Sequence, residues 1–366
     1  MPPSQDVTGW ITGLGAVTSV GLDAATTCAS IRAGIVRPCE LEGHQSLSYL
    51  DYEPTPTIGH VVPELSRGFV SVGRWLQLAA PAIEDLCTTE SLPRPADDRR
   101  FWGATIAYLL VPEPSVRFMV DPLYGETQLP GSFRDPLLQR TASVFAPRRV
   151  GILDQGRHGT LELLNSIHWP LEGVERIIVV ATDALTDAPA LDWLSRCRRL
   201  KNDMNPVGLS PSEASVALMI EDPRAAARRG AQGHAVLHAV ATDVDPERSS
   251  GEGVAGIGLA RAVSEVLERT SLHRHGTSSQ VADLNGEVWR AKERAAAQQR
   301  VGFDRWNDEH LVIPAVSTGD PGAAMPALQL TVAAVALRRG YARGSSVLVT
   351  SSDRLGRVGA AIVGRA

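Results

Sequence analysis

One segment of this sequence decides how the chain folds, and it runs Gly151-Ile152-Leu153-Asp154-Gln155-Gly156-Arg157-His158-Gly159-Thr160-Leu161-Glu162-Leu163-Leu164. A short apolar run leads into a turn that contains glycine, and an apolar-periodic helix follows the turn. A sharp strand-to-helix turn places a side chain at the N-terminus of the helix, where free N–H groups and the helix dipole favour a thiolate or an oxyanion. A nucleophile is expected at this place, but the turn holds Gln155, Gly156 and Arg157.

The second half of the sequence repeats the order of the first half. An apolar segment at residues 177–183 is followed by another at 214–220, and residues 347–353 and 358–363 form a matching pair. A glycine-containing turn that opens a helix precedes each pair, and in the second half this turn spans residues 318–322. The repetition predicts an internal duplication of a strand–helix–strand unit.

We expect the two units to form one α/β domain with five layers in the order α-β-α-β-α. The N-terminal unit is predicted over residues 1–232 and the C-terminal unit over residues 233–366. The helices that follow the two glycine turns should lie buried between the two sheets. Residues 35–72 and 111–136 are rich in proline or glycine and lack periodicity, so loop excursions are predicted there. Periodicity also predicts helices at 72–86, 136–145 and 286–298, and strands at 101–110 and 311–316.

Composition and charge limit the class of protein. The chain has 366 residues, of which 43% are hydrophobic and 21% are charged, as in a folded globular protein. The net charge of -5 and the lack of a Lys/Arg block argue against a nucleic-acid partner. No apolar run approaches the roughly 20 residues that span a bilayer, and the first residues lack the pattern of an export signal. We therefore expect a cytoplasmic protein without a membrane segment.

The cysteines give no indication of a metal or a cofactor. Cys28, Cys39, Cys87 and Cys197 are scattered, without the spacing of a metal site or of a disulfide framework. This usage is typical of a reducing compartment. We predict no metal and no cofactor.

Four segments, taken in order, resemble the β-ketoacyl synthase family of thiolase-fold condensing enzymes. They are an N-terminal Ile-Thr-Gly-Leu-Gly strand at 11–21, the segment after the central strand at 183–185, the strand region at 208–221, and the Thr-Gly-Asp-Pro-Gly-Ala-Ala turn at 318–324. The resemblance covers nearly the whole chain. It implies a thiolase-like fold.

The resemblance also implies where catalytic residues would stand. Members of the family condense an acyl thioester with a malonyl thioester by means of a cysteine at the first glycine turn and two histidines. By position the cysteine falls on Gly156, or on Gln155 if the turn shifts by one residue. The first histidine falls on Asn285 or Leu284, and the second falls on Asp320. The cysteine–histidine–histidine set is therefore predicted to be absent.

Two short strings look like catalytic motifs but stand in the wrong context. Thr26-Thr27-Cys28-Ala29-Ser30 resembles the nucleophile motif of the family, yet it falls inside a predicted helix, where no helix N-terminus lowers the pKa of the thiol. His275-Gly276-Thr277 spells the histidine turn of the family, but no apolar strand leads into it. We therefore expect no catalytic role for Cys28 or His275.

Two other polar residues are candidates for contact with a central cavity. His158 lies in the first turn of the helix that follows Gly156. There it either caps the helix and packs against it or contacts a ligand. Glu287 follows the Asn285 turn at the start of a helix, a position that the helix dipole alone also favours.

Three functions are compatible with these residues. The first is a non-catalytic ketosynthase homologue that resembles a chain-length factor and acts in fatty acid or polyketide biosynthesis. Such a protein would form a homodimer, or a heterodimer with an active ketosynthase, and would have acyl carrier protein as a partner. The second is an active thioester-processing enzyme, a decarboxylase or an acyltransferase, with altered site residues. The third is a scaffold or binding protein whose loop excursions carry the partner surface.

Overall fold

Among the described residues, ten strands form one mixed sheet and two others form a hairpin. The structure is a computed structural model that describes residues 8–47, 51, 53–117, 130–250, 253–270, 279–306 and 309–366. The strands are β1 Gly9–Thr18, β2 Cys39–Leu47, β3 Pro54–Gly59, β4 Thr105–Leu110, β5 Arg149–Leu153, β6 Arg176–Ala184, β7 Glu213–Glu221, β8 Ala235–Val244, β9 Gln280–Ala282, β10 Leu311–Val312, β11 Ser346–Ser352 and β12 Arg357–Gly364.

Helices cover both faces of the sheet and fill the space between its two halves. They are α1 Ala24–Arg32, α2 Pro63–Ser66, α3 Ser71–Thr89, α4 Arg99–Gly103, α5 Pro114–Arg117, α6 Asp135–Thr141, α7 Gly159–Asn165, α8 Ala188–Arg196, α9 Pro223–Arg228, α10 Pro246–Ser250, α11 Ile257–Arg269, α12 Val288–Val301, α13 Ala315–Thr318 and α14 Met325–Arg338. Short 3-10 turns at Gly156–His158 and Gly322–Ala324 lead into α7 and α14. None of the helices in these described ranges combines the length and the apolar character that crossing a membrane requires.

The order of the strands confirms the predicted duplication. The sheet runs β10-β9-β11-β12-β8-β1-β7-β6-β4-β5. In the first half, β7 pairs antiparallel with β1 and β6, and β4 lies parallel to β6 and β5. In the second half, β12 pairs antiparallel with β8 and β11, and β9 lies parallel to β11 and β10, so the same arrangement recurs. Three residues of β1 pair with β8 and join the two halves. The boundary between residues 232 and 233 stays a prediction.

Alternation along the central strands separates the core into layers. In β6, Ile177 and Val179 face the core between the two halves of the sheet, whereas Ile178 and Val180 face the outer core beneath α3. Successive side chains of a strand point to opposite faces, so a strand that is apolar at every position must be covered on both sides. In the second half, Ala361 faces the same central core, and its neighbours in β12 face α11.

The central layer contains the two helices that follow the glycine turns. The first turn of α7 and nearly all of α14 are buried, and α14 is apolar all round, as a helix between two sheets must be. The buried side-chain amide of Gln329, in α14, donates to the carbonyl oxygens of Val281 (3.1 Å) and Thr350 (2.9 Å). With α3 outside one half and α11 and α12 outside the other, the five-layer order α-β-α-β-α is confirmed.

The predicted loop excursion at 35–72 needs correction. It contains the β2–β3 hairpin and α2, and α3 begins at Ser71. The prolines of β3 misled the prediction, because proline is tolerated in a hairpin strand that lies at an edge. The excursion at 111–136 includes residues 118–129, which lie outside the described residues. At its far end Phe133 is fully buried and meets Trp75 edge to face, with ring centroids 6.0 Å apart, so this end belongs to the core.

Three predicted segments have different bounds. The strand predicted at 101–110 divides into α4 and β4, since Phe101 and Trp102 lie in a helical turn that buries both rings. The strand predicted at 311–316 keeps only Leu311–Val312 and then turns into α13. The helix predicted at 136–145 ends earlier, at Thr141.

Gly15 of β1 is a point of close approach between the sheet and α3. A Cβ at this position would lie 2.1 Å from the carbonyl oxygen of Ala82. We expect Gly15→Ala to push α3 away and to lower the free energy of unfolding by about 2–3 kcal/mol, the usual cost of overpacking a core. Urea unfolding measures this difference. Gly103→Ala, where no atom lies within 4 Å of the new Cβ, is the control and should change stability by less than about 0.5 kcal/mol. Equal effects of the two variants would contradict the prediction.

Candidate functional site

The turn after β5 presents its backbone to a pocket. Gly156 has a φ of +59°, in the left-handed region that favours glycine, and opens the 3-10 turn that leads into α7. The pocket has a volume of about 350 Å³ and is lined by Gly156, Asp320 and Gly322, among other residues. Two of the three positions at which the resemblance predicts catalytic residues thus share one cavity.

The walls of this pocket are rich in charge. The basic lining residues are Arg117, Arg157, Arg199, Arg290, Arg354 and Arg357, and the acidic ones are Glu113, Asp183, Asp320 and Asp353. Most of these charges pair with one another or with carboxylates directly behind the wall. The pocket wall is therefore built largely of ion pairs and carries charges of both signs.

Arg157 and Asp320 form the central ion pair. One Nη atom of Arg157 donates to Oδ1 of Asp320, and both side chains are buried. The N–H of Gly322 donates to the same oxygen (2.9 Å). The backbone of Asp320 is fixed as well, because its N–H donates to the Ser210 carbonyl (2.8 Å) and its carbonyl accepts from the Ser212 N–H (3.1 Å).

Asn285 joins this ion pair to a second one. Its Nδ2 donates to Oδ2 of Asp320 and to Oε2 of Glu287 (3.0 Å), and its Oδ1 accepts from the N–H of Glu287 (3.1 Å). Arg199 binds Glu287 through two parallel hydrogen bonds, from Nε (2.8 Å) and Nη2 (2.9 Å). This two-pronged geometry is among the strongest that arginine makes with a carboxylate. Both amide protons of Asn285 are therefore used within the network.

Further ion pairs hold the surrounding turns. Arg290 of α12 donates to the carboxylate of Asp283 and to the Ser352 carbonyl (2.7 Å). Nη1 of Arg157 also lies 3.8 Å from Oδ2 of Asp283. On the other wall, Asp183 accepts from Arg117 and from the Ala323 N–H (2.9 Å). These contacts connect the end of β6 to the turn before α14, and the loop after β9 to α12 and to the turn before α7.

Gly322 makes room for Asp183. A Cβ on residue 322 would lie 2.0 Å from Oδ2 of Asp183, and the φ of residue 322 is +55°. No side chain larger than hydrogen fits between the two carboxylates of the pocket floor, those of Asp183 and Asp320. The Gly-Asp-Pro-Gly turn is thus explained by close packing rather than by chemistry.

The network keeps the two central carboxylates ionised. Burial alone would raise the pKa of Asp320, but the charges of Arg157 and Arg290 and the Asn285 hydrogen bond hold it below its ordinary value. Glu287 is also buried, and Arg199 and Arg290 hold its pKa well below the ordinary value. An ionised Asp320 would repel an enolate, and Gly156 has no side chain with which to attack a thioester.

Among the cysteines, Cys197 is the one that lines this pocket. It lies at the C-terminal cap of α8, where the helix dipole disfavours a thiolate. Cys28 is buried inside α1, and burial raises the pKa of its thiol to about 12. A buried thiol with a raised pKa is a poor nucleophile at neutral pH. His275 lies outside the described residues.

The two candidate cavity contacts stand behind the wall of the pocket. His158 pairs with Glu162 of the next helical turn (3.0 Å), and burial lowers the pKa of its imidazole. Glu287 is held by Arg199 and Asn285, as described above. Neither side chain is among those that line the pocket.

Arg157 stands in the organising turn, but its role is not evident from the sequence. The same is true of the ion pairs that Arg117, Arg199 and Arg290 make with carboxylates of this site. A usable signal was present: an arginine, in place of a nucleophile, in the organising turn, and an aspartate in the second turn. Two opposite charges at positions that the fold brings together predict an ion pair.

The fold class that this architecture defines is the thiolase-like fold of the ketosynthases, as comparison with solved structures shows. A chain of a complex described as a type II PKS acyl-carrier protein with its ketosynthase bound to the hexaketide (AntDE:AntF) matches with a TM-score of 0.75 and 13% identity, over 99% of this chain and 100% of that one.

Two further structures are similar over almost their full lengths. The ishigamide ketosynthase/chain length factor gives a TM-score of 0.69 and 19% identity, over 97% of this chain and 99% of that one. A β-ketoacyl synthase from Burkholderia phymatum STM815 gives a TM-score of 0.72 and 15% identity, over 99% of this chain and 100% of that one. No model of a known protein family matches the chain, and no curated protein matches it in sequence. The predicted fold is confirmed.

Replacement of Asp320 tests the central ion pair. Asp320→Asn keeps the shape of the side chain but leaves the buried Arg157 without its main counter-charge, so we expect a loss of about 3–5 kcal/mol in the free energy of unfolding at pH 7. Asp243→Asn, in the more exposed pair with Arg261, is the matched control and should cost less than about 1 kcal/mol.

The difference in stability between the wild type and Asp320→Asn should also depend on pH. Because the folded-state pKa of Asp320 lies below the ordinary value of 3.8, its stabilising effect is complete above that value and is lost as the pH falls through the folded-state pKa. Unfolding curves at a series of pH values should therefore show the difference between wild type and Asp320→Asn shrinking below about pH 4. A constant difference, or a cost no larger than that of Asp243→Asn, would contradict the role given to this pair.

Proposed function

We propose that this protein is a non-condensing ketosynthase homologue that acts as a partner subunit, in the manner of a chain-length factor, in fatty acid or polyketide biosynthesis. One observation carries the proposal: of Gly156, Asn285 and Asp320, the positions that the resemblance assigns to the nucleophile and the two histidines, the last two are committed to the ion-pair network with Arg157. This supports a protein that keeps the fold and does not carry out the condensation.

The arrangement of charges supports a structural role for this region. A condensing site needs a reactive thiolate and hydrogen-bond donors aimed at the oxygen on which negative charge develops. Here one Nη atom of Arg157 and both amide protons of Asn285 already donate to carboxylates of the protein itself. A thioester carbonyl that used these donors would have to displace Asp320, which would leave a buried carboxylate without its partners.

The free edge of β5 supports association with a second subunit. Within the described sheet, β5 has β4 on one side and no strand on the other. The Val111 N–H donates to the Leu153 carbonyl (3.0 Å), so Leu153 and Gly151 direct their backbone groups to β4, and Val150 and Ile152 direct theirs to the free edge. An edge with unpaired N–H and C=O groups is a template for pairing with another chain. We therefore propose that a homodimer or a heterodimer with an active ketosynthase forms along β5.

Val150→Pro tests this interface. Proline at residue 150 removes an N–H that points outward and leaves the hydrogen bonds to β4 in place. We expect the variant to lose its partner while keeping its fold, as measured by light scattering after size exclusion and by circular dichroism. Val150→Thr keeps the N–H and nearly the same shape, so it should behave as the wild type does. Dimers of unchanged stability in the proline variant would overturn the proposed interface.

The proposed lack of condensing activity is tested with acyl- and malonyl-loaded carrier protein and intact-mass spectrometry. We expect neither a mass gain on the chain nor loss of CO₂ from the malonyl group. Cys197→Ala and the double variant Cys28→Ala/His275→Ala serve as comparisons. Acylation that disappears in Cys197→Ala would replace the proposal by acyl transfer at the pocket wall. Acylation that disappears in the double variant would show that the active-site positions were assigned wrongly.

A further inference from the structure

A second concavity, which we call the hairpin groove, lies between the β2–β3 hairpin, the segment 201–210, and the turns around Asn285 and Ile313. It has a volume of about 1120 Å³, which is sufficient for an organic ligand of ordinary size. Asn285 lines this groove and donates to Asp320, which lines the charged pocket. The groove and the pocket therefore share a wall but differ in character.

The walls of the groove are mainly apolar. Ile58 of β3 is 45% exposed and Val316 of α13 is 64% exposed, and Pro56, Leu284 and Ile313 also line the groove. Lone exposed apolar side chains are ordinary, but several that line one concave surface indicate a binding site. Of the charged residues, Lys201 and Asp203 line it, one of each sign. The groove thus has no net charge to attract an ion.

His60 supplies a polar atom in this apolar surrounding. The residue is only 5% exposed, lines the groove, and follows directly on β3. Its backbone is held by the Pro211 carbonyl (2.9 Å) and by the Glu213 N–H (3.2 Å). The ring lies against Gly319, where a Cβ would be 2.7 Å from Cδ2 of His60. The imidazole is therefore fixed in place by the turn that also carries Asp320.

The surroundings of the ring decide which of its nitrogens carries the proton. Burial lowers the pKa of His60, so the imidazole is neutral at pH 7. Its Nδ1 is buried and has no hydrogen-bond partner in the part of the chain that the structure describes. A proton on Nδ1 would be a buried donor without an acceptor, which is the costlier of the two arrangements. The neutral ring thus keeps its proton on Nε2 and presents a donor to the groove.

We infer that the hairpin groove binds an uncharged apolar molecule that carries a carbonyl group, with the carbonyl oxygen accepting a hydrogen bond from Nε2 of His60. An ester or an amide with an apolar body fits these walls. A carboxylate fits less well, because Asp203 offsets the charge of Lys201 in the groove and the neutral N–H of His60 cannot compensate for the burial of a full charge. The inference does not depend on the proposed partner function, since it concerns His60 and the apolar wall of the groove rather than Gly156 and Asp320.

The test is a titration with N-methyloctanamide, followed in long-range ¹H–¹⁵N spectra of the histidine rings. The signals of His60 are assigned from their loss in His60→Phe. We expect a saturable shift of the His60 Nε2 signal, and octanoate should bind at least about tenfold more weakly than the amide. The inference is overturned if the His60 signals do not move, or if octanoate binds as well as the amide.

Variants of the groove wall make the test independent of the buried ring, whose replacement can affect folding. Ile58→Lys places a charge in the wall and should weaken binding of the amide about tenfold or more. Phe303→Lys is the matched control, because Phe303 is 62% exposed and does not line the groove; its affinity for the amide should stay at the wild-type value. Equal affinities of the two variants would overturn the assignment of the site. A mass gain in the carrier-protein assay would contradict the proposed partner function and leave this result unaffected.

Discussion

The ion pair between Arg157 and Asp320 joins the two glycine turns from which the central helices start. Arg157 leads into α7 and Asp320 leads into α14, so the pair sets how the two halves of the duplicated fold meet. Both charges are buried, and neither is tolerated in the interior without the other. Asn285 and the backbone of residues 210–212 then hold Asp320 in place, so that three separate segments depend on the geometry of one carboxylate.

A buried ion pair is weak support for stability taken alone, since apolar side chains of the same volume often serve as well. Its effect here is on position. The turn after β5 offers N–H groups at a helix start, and Arg157 directs its guanidinium from there to Asp320 instead of leaving the turn open to a ligand. That guanidinium is thus committed to a carboxylate of the protein itself.

The sequence was sufficient for the fold because its signals are local and are repeated. Apolar strands such as residues 177–183, glycine turns before helices, and the same order in both halves predict the duplicated sheet without knowledge of any contact. The hairpin at β2–β3 was missed because prolines and polar residues outweigh its weak alternation. The ion pairs were missed for a different reason: Arg157 and Asp320 are 163 residues apart, and only the completed fold shows that they meet.

The charged pocket and the hairpin groove show how the same wall can carry opposite properties. On the pocket side of Asn285, the carboxylates of Asp320 and Glu287 accept from Asn285, Arg157 and Arg199, so these polar groups stabilise the turns. On the groove side, Ile58, Ile313 and Val316 line the wall together with His60, whose Nδ1 has no partner among the described residues. A single hydrogen bond selects among ligands where a site has few polar groups and excludes water. A ligand without the matching atom then leaves a buried group unpaired. By this criterion the groove is better suited than the charged pocket to recognise a small molecule, within the part of the chain that the structure describes.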